Sequence, residues 1–273
     1  MKQKLSITLE KALLKEAESL IDGINIRNTS QSIEFLLRRS LQDKKTAVVL
    51  AGGNPKSLMT DGIYRPLMKI GDKTLIERNI EAIRKVFKNI LIVGQAPVIN
   101  ELFKVLGDGS PLNVNITYLE EKETLGSAKT LEMAKKLLSS TFLFLPCDHY
   151  FEFDVGELMK FHLAQESVVT LSVFNKTNFE WPVAVVEMDG YRITGYEERP
   201  RKPKTHLRSM LIGIADPSIF NRIPSGPVNW SLQENVFPKL AADGLMCGYP
   251  VSGNWVNVRS KKDIELIKRL ISQ

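Results

Sequence analysis

Residues 47–53 read AVVLAGG, a short apolar run that ends in a pair of glycines. An uninterrupted apolar run of this length predicts a strand buried on both faces, as in a parallel sheet. The two glycines predict a turn without Cβ atoms, where backbone amides can approach a polyphosphate closely. A polar loop and a helical pattern over residues 75–86 follow. This order predicts a nucleotide-binding α/β unit, although a strand and turn of this kind also occur where nothing binds.

The alternation of strands and helices continues downstream. Apolar runs within residues 85–94, 114–119 and 142–146 predict further strands, and helical patterns separate them. Such alternation predicts a parallel sheet with helices on both faces. Ligands of these sheets bind at the carboxyl ends of the strands, so we expect one site near Gly52 and Asp148.

Residues 1–45 predict a separate module. The sequence KLSITL alternates, with Leu5, Ile7 and Leu9 on one side and Lys4, Ser6 and Thr8 on the other. Two short amphipathic helices are predicted next, the second starting near Thr29 and Ser30. One strand and two helices are too few to close a core, and a lone strand leaves both edges unpaired. Pairing with a second chain removes both problems, so we expect a homodimer or a higher even oligomer.

This module resembles the ribbon-helix-helix family, in which outward residues of the paired strands read bases of duplex DNA. The resemblance assigns base contacts to Lys4, Ser6 and Thr8, and a phosphate contact to the helix start at Thr29 and Ser30. Nine Lys and Arg against six Asp and Glu in residues 1–45 are compatible with DNA. Pure dimerisation is the alternative.

Composition excludes several other classes. The two cysteines, Cys147 and Cys247, are far apart and predict neither a metal cluster nor a disulfide framework. No apolar run of about 18 residues predicts a membrane span, and the N-terminus does not resemble a signal peptide. We therefore expect a cytoplasmic protein.

From about residue 46 to 270 the chain resembles the sugar-1-phosphate nucleotidyltransferase family. That family opens with a phrase close to LAGG-x-G-T-R-L, then P-K-P-L and G-K-P-L-I; here LAGG, RPL and GDKTLI fall in step. Later matches are ERP at 198–200, SLQENVFPKL at 231–240 and WVNV at 255–258. The resemblance implies a Rossmann-like mixed, mostly parallel sheet with helices on both faces, of the nucleotide-diphospho-sugar transferase type, over residues 46–273. It also implies Mg²⁺-dependent transfer of a nucleotidyl group from a nucleoside triphosphate to a sugar 1-phosphate.

The resemblance assigns roles to individual positions. The nucleotide is expected at Leu50, Ala51, Gly52, Gly53, Glu121 and Gly126. The catalytic positions are Arg65, Lys56 and Asp148. The metal is expected at Asp148 and Asn257, and the sugar phosphate at Glu198 and Arg199. A carboxylate can accept both hydrogen-bond donors of guanine, so Glu121 favours guanosine triphosphate, with cytidine triphosphate as the competitor.

Four positions depart from the family pattern. Ser57 replaces the loop arginine, Asn257 the second metal carboxylate, Pro182 a glycine and Leu211 an asparagine that holds sugar hydroxyls. Two functions therefore remain open. One is an active nucleotidyltransferase of unusual sugar preference; the other is a DNA-binding regulator whose degenerate transferase-like domain senses a nucleotide or nucleotide sugar.

Overall fold

The computed structural model describes residues 6–43, 45–175 and 183–272, with side chains of the first range up to residue 37. Lys4 and Pro182 lie outside the described residues. The chain divides into two compact units, Met1–Lys44 and Lys45–Gln273. Each unit is described by itself.

The N-terminal unit contains two helices joined by a turn. Helix α1 spans Lys11–Glu18 and α2 spans Thr29–Asp43. The Asp22 carboxylate holds the turn by accepting from three backbone amides at 2.8–2.9 Å, which lowers its pKa to about 2. The predicted strand is not formed in residues 6–10, which have no regular structure in this single chain. A β-strand needs a partner, and within one chain this short unit supplies none.

The large unit is an α/β fold built on one main sheet. Its strands are β1 Thr46–Ala51, β2 Met59–Thr60, β3 Ile63–Tyr64, β4 Lys69–Ile70, β5 Lys73–Thr74, β6 Asn89–Gly94, β7 Asn115–Glu120, β8 Phe142–Pro146, β9 His149–Phe151, β10 Val169–Asn175, β11 Val185–Asp189, β12 Arg192–Glu197, β13 Leu207–Ala215, β14 Met246–Pro250 and β15 Trp255–Asn257. Its helices are α3 Leu75–Ile83, α4 Ala96–Leu106, α5 Ser127–Glu132, α6 Val155–Leu163, α7 Phe237–Ala242 and α8 Lys261–Ile271. A π-helical turn over Leu232–Val236 leads directly into α7.

The main sheet is mixed. Its order among the described residues is β10-β14-β12-β11-β13-β8-β1-β6-β7. Strands β8, β1, β6 and β7 are parallel, as predicted, but β13, β11 and β12 join antiparallel. The prediction of a mixed sheet is confirmed, but the second half of the domain has more antiparallel pairs than the prediction of a mostly parallel sheet implies, and among the described strands only β10–β14 is parallel there. One of the antiparallel pairs has a local cause: β11 and β12 form a hairpin with Gly190 at φ 58° in its two-residue turn, and a hairpin forces antiparallel pairing.

Both faces of the parallel half are buried. Val48 and Leu50 of β1 face one core with Phe144, whereas Ala47 and Val49 face a second core. This alternation explains the unbroken apolar runs in the sequence, because each face is covered by helices.

The last helix begins as its sequence predicts. Ser260 and Asp263 form a capping box at the start of α8, and Ile264 and Ile267 are buried. Among the described residues, no helix has both the length and the apolarity that crossing a membrane requires.

Candidate active site

The carboxyl ends of β1 and β8 bring the two main predicted site segments together. Leu50 pairs with Pro146 in parallel register, and the Cys147 amide donates to the Leu50 carbonyl at 3.0 Å. Gly52 and Asp148 each follow this pair by two residues, so they lie side by side at the strand ends. The sequence predicted this juxtaposition from topology alone.

The glycine turn is held by a buried carboxylate. Gly53 has φ 90°, and its amide donates to Glu121 Oε2 at 2.8 Å. Glu121 is buried, and its other oxygen accepts from the Thr130 hydroxyl at 2.5 Å. A Cβ at Gly52 would meet Thr130 Oγ1 at 2.5 Å and Glu121 Oε2 at 2.6 Å, so only glycine fits there. Glu121 thus braces the turn; its predicted contact with a base stays a prediction, and a base would share oxygens that already accept.

Arg65 links the glycine loop to Asp148. Its Nε and Nη2 atoms donate to Asp148 Oδ2 at 3.1 and 2.6 Å, and its Nη1 donates to the Ser57 carbonyl at 2.5 Å. Both side chains of the ion pair are largely buried, at 15% and 12% exposed. The Arg65 guanidinium therefore lies between the loop at Ser57, where the family has an arginine, and the carboxylate of Asp148. Lys56, the other predicted catalytic cation, is exposed on the short 3-10 turn Pro55–Leu58.

The two predicted metal ligands are Asp148, in the turn directly before β9, and Asn257 on β15, the strand that pairs with β9. Asn257 of β15 is paired with His149 of β9, and the Val258 amide donates to the Asp148 carbonyl at 3.0 Å. Among the described residues no group of three or more His, Cys, Asp and Glu forms a metal cluster. One carboxylate and one amide oxygen fit Mg²⁺, which takes oxygen ligands and usually completes its shell with water and substrate phosphates.

Gly126 and the start of α5 close another side of the site. Gly126 has φ 89°, and a Cβ there would lie 2.6 Å from the Trp230 carbonyl oxygen. A cavity of about 330 Å³ lies against this region and is lined by Glu121, Lys122, Glu123, Leu125, Lys129, Glu132, Met133, Gly226 and Pro227. Glu121, the predicted base contact, is one of the residues that line this cavity.

A second cavity lies beside Asn257 and contains both predicted sugar-phosphate residues. Its lining among the described residues is His149, Val183, Ala184, Tyr196, Glu198, Arg199, Ser209, Met210, Leu211, Gln233, Trp255, Asn257 and Arg259. We call it the acceptor cavity. Arg199 Nε lies 3.1 Å from a Glu198 oxygen, and burial raises the pKa of Glu198 above its ordinary value.

Sequence reasoning missed several residues of this region. Thr130 braces Glu121 from one helical turn beyond Gly126, but spacing alone does not announce such a contact. Arg259 lines the acceptor cavity, and its amide donates to Asp263 Oδ2 at 2.9 Å. Its position directly after the WVNV phrase was the available signal. Tyr196 carried no signal beyond that of an ordinary core residue.

With this geometry in hand, comparison with known families decides the classification. A family model described as nucleotidyl transferase matches residues 46–264. The chain belongs to the nucleotidyl transferase family. This family model does not extend to residues 1–45, and the interpretation of that part as a ribbon-helix-helix module stays a prediction.

The proteins that this chain is similar to are named for different nucleotides. The chain is 30% identical over 230 residues to a probable mannose-1-phosphate guanylyltransferase 2 of Oryza sativa subsp. japonica, covering 80% of this chain and 62% of that protein. A crystal structure of a putative glucose-1-phosphate thymidylyltransferase from Bacillus anthracis superposes with a TM-score of 0.74 at 19% identity, covering 83% and 94% of the chains. The inositol-1-phosphate CTP transferase of T. maritima gives a TM-score of 0.70 at 19% identity, covering 84% and 95%.

These comparisons establish the fold and the family. The chain spans 62% of the length of the curated guanylyltransferases that it matches. The α/β nucleotide-diphospho-sugar transferase fold of the solved neighbours agrees with the predicted fold class.

Proposed function

We propose that residues 45–272 form an active Mg²⁺-dependent sugar-1-phosphate nucleotidyltransferase. The observation that carries this proposal is the convergence of the glycine turn, Arg65 and Asp148 at two adjoining strand ends. Nucleotidyl transfer needs no protein nucleophile, because the sugar phosphate oxygen attacks the α-phosphorus in line and pyrophosphate leaves. Catalysis then rests on positioning and on neutralising the charge that develops on phosphate oxygens.

The chain's own groups match these needs. Gly52 lets the turn pack directly against Thr130 and Glu121, where no side chain would fit, and a turn without Cβ atoms would let phosphates approach its backbone. Arg65 is the buried cation at the turn and would neutralise phosphate charge. Asp148 and Asn257 would hold Mg²⁺, which when bound neutralises charge on the phosphates and orients them. Glu198 and Arg199 line the cavity beside them, where Arg199 would bind the acceptor's phosphate.

A transferase assay tests this proposal directly. The full chain with Mg²⁺, each of the four nucleoside triphosphates and a panel of sugar 1-phosphates should release pyrophosphate. Asp148→Asn, which keeps the shape but removes the charge, should lower kcat by roughly a hundredfold or more, as for loss of one preorganised electrostatic group. The control Asp61→Asn changes an exposed carboxylate and should be neutral. Equal activity in Asp148→Asn and the parent would contradict the assignment.

We propose guanosine triphosphate as the nucleotide. The curated relatives named as guanylyltransferases support it, as does the carboxylate of Glu121 at the edge of the cavity beside α5. Glu121→Gln should shift preference toward uridine triphosphate, by about tenfold for one polar pairing of 1–3 kcal/mol. Because Glu121 also holds Gly53, the ratio between nucleotides must be measured rather than one rate. Thr130→Val, which removes the other bond to Glu121, is the matched control for a loosened turn, and it should weaken all nucleotides alike.

For residues 1–45 we propose a dimerising ribbon-helix-helix module that binds duplex DNA. The observation that favours it is the apolar surface of α1 and α2, on which Leu13 and Leu37 are 51% and 57% exposed in the single chain. A second copy would cover this surface and pair with residues 6–10, where Ser6 and Thr8 alternate with Ile7 and Leu9. An active transferase could be tethered to DNA in this way; the alternative function is a DNA-binding regulator whose degenerate transferase-like domain would sense a nucleotide or nucleotide sugar.

Salt-dependent DNA binding tests the module. The logarithm of the association constant should fall against the logarithm of salt with a slope of about 0.9 per phosphate neutralised. Replacing Lys4 and Thr8 by alanine should reduce sequence preference. If no duplex binds even at low salt, dimerisation alone remains.

A further inference from the structure

Leu211 has a backbone conformation that leucine rarely adopts. It lies in the interior of β13 with φ 56°, in the left-handed region that glycine and asparagine tolerate and leucine does not. A strained residue that persists inside a strand is typical of functional sites. The strand pairing around Leu211 shows the effect of this conformation on the direction of its side chain.

A bulge in β13 produces the strain. Leu171 of β10 pairs with Gly213, but two residues further on Val173 pairs with Ser209, so β13 carries two extra residues at this point. The bulge is held from inside, because the Ser172 hydroxyl donates to the Ile212 carbonyl at 2.7 Å. His149 Nδ1 contacts the Met210 carbonyl at 3.0 Å from the other side. Bulges of this kind re-aim a side chain, and here the re-aimed side chain is Leu211.

The bulge puts Leu211 at the wall of the acceptor cavity. Leu211 is half-buried, lines that cavity and packs against the adjacent core. Val183, Ala184, Met210 and Trp255 also line it, so part of the wall is apolar. Arg199 and Arg259 supply cationic groups to the same cavity. A ligand of this cavity therefore combines an anionic group with an apolar face.

The remaining lining excludes a purely alkyl ligand. Tyr196, Glu198, Ser209 and Gln233 offer hydrogen-bonding groups to hydroxyls. Leu211 offers none, and a hydroxyl buried against it would lose its hydrogen bond to water without replacement. The cavity can therefore form hydrogen bonds with some hydroxyls of a ligand but not with a hydroxyl that faces Leu211.

Resting on the transferase function proposed above, we propose that Leu211 is a specificity residue and that the acceptor is a deoxy sugar phosphate. At the position that meets Leu211, this acceptor carries hydrogen or a methyl group instead of a hydroxyl. Its phosphate is bound by Arg199 and Arg259, and its other hydroxyls by the polar part of the lining. The strained bulge holds the leucine in contact with the deoxy position.

Calorimetry on the full chain tests this inference with matched ligand pairs. Glucose 1-phosphate and mannose 1-phosphate are compared with their 2-, 3-, 4- and 6-deoxy counterparts. One deoxy counterpart should bind at least about tenfold more tightly than its parent, the scale on which apolar pockets discriminate. If each hydroxylated parent binds as tightly as all its deoxy counterparts, the inference is overturned while the transferase proposal stands. If no sugar phosphate binds, both fail.

Two substitutions separate the contact from the strain. Leu211→Asn and Leu211→Gly both suit a left-handed backbone, but only asparagine offers hydrogen bonds to a hydroxyl. Leu211→Asn should abolish or reverse the preference for the deoxy ligand, whereas Leu211→Gly should weaken the deoxy ligand without strengthening the parent. Identical behaviour of the two variants would mean that backbone relief alone matters, which overturns the specificity role. Leu163→Asn, at an exposed leucine, controls for the chemical change, and unchanged triphosphate affinity shows that the variants are folded.

Discussion

The N-terminal unit and the large unit bury their apolar residues to very different extents. In the large unit Phe87, Phe142, Phe144 and Phe237 are fully buried, and cores cover both faces of the parallel strands. Among the described apolar side chains of residues 6–37, only Ala17 is buried. A unit that hides its apolar surface folds by itself, whereas a unit that cannot do so requires another surface. The difference teaches that the two parts of this chain have different requirements for stability.

Truncating one apolar side chain in each unit gives the largest expected difference in the free energy of unfolding. Phe144→Ala should lower the free energy of unfolding of the large unit by about 3–5 kcal/mol, the usual cost of removing a buried aromatic ring. Leu37→Ala, in the N-terminal unit, should change the free energy of unfolding of the large unit by less than about 0.5 kcal/mol, because the large unit buries its own core. Denaturant unfolding followed by tryptophan fluorescence measures both, since Trp181, Trp230 and Trp255 all belong to the large unit. Similar costs for the two variants would break the comparison.

Deletion of residues 1–44 tests whether the large unit is stable without the N-terminal unit. Because the large unit buries its own core, the shortened chain should keep its melting temperature within about 2 °C, which corresponds to roughly 0.5–1 kcal/mol. Under the dimer proposal its molar mass in light scattering should fall to that of a monomer. The double variant Leu13→Asp and Leu37→Asp is the control in the full-length chain, since two charges on the exposed apolar surface should dissociate the dimer without any deletion. An oligomer that survives both changes would locate the interface elsewhere.

Acid should distinguish the units by a smaller effect. Burial lowers the pKa of His162 to about 4, and its Nδ1 lies 2.9 Å from the Thr170 hydroxyl oxygen. The unfolded chain binds this proton near pH 6.5 and the folded chain near pH 4. Stability is therefore complete above pH 6.5 and falls as the pH drops toward 4, by up to about 3 kcal/mol. Unfolding of His162→Gln should show a flatter pH dependence than the parent over that window. The N-terminal unit contains no histidine and gains no such dependence.

Short-range sequence patterns predicted the strands and turns that carry the site. The run FLFLP is β8 from its first residue to its last, and Ser260 caps α8, because both depend on short-range patterns. The placing of Gly52 beside Asp148 followed from topology. The hydrogen bond from the Gly53 amide to Glu121 could not be predicted, because it joins residues 68 apart in sequence.

Other features lay beyond the sequence for identifiable reasons. Nothing in residues 207–215 marks Leu211 as the residue with a left-handed backbone, since leucine is the wrong residue type for it. The bulge arises where β13 pairs with β10, and this pairing is set by the tertiary fold rather than by the local sequence. The absence of a strand in residues 6–10 has the opposite origin. Its alternating pattern is genuine, but a strand requires a partner that a single chain lacks.

The ion pair between Arg65 and Asp148 has a consequence for the order in which ligands arrive. In the ligand-free chain Asp148 Oδ2 already accepts two hydrogen bonds from the guanidinium. A cation that binds this oxygen competes with Arg65, whereas a polyphosphate that attracts Arg65 releases the oxygen. Anion and cation binding are thus thermodynamically linked, and each raises the affinity for the other by the same factor. A titration with the metal alone would underestimate its affinity, and the part of the coupling that acts through Arg65 should be lost in Arg65→Ala, which lowers the coupling factor.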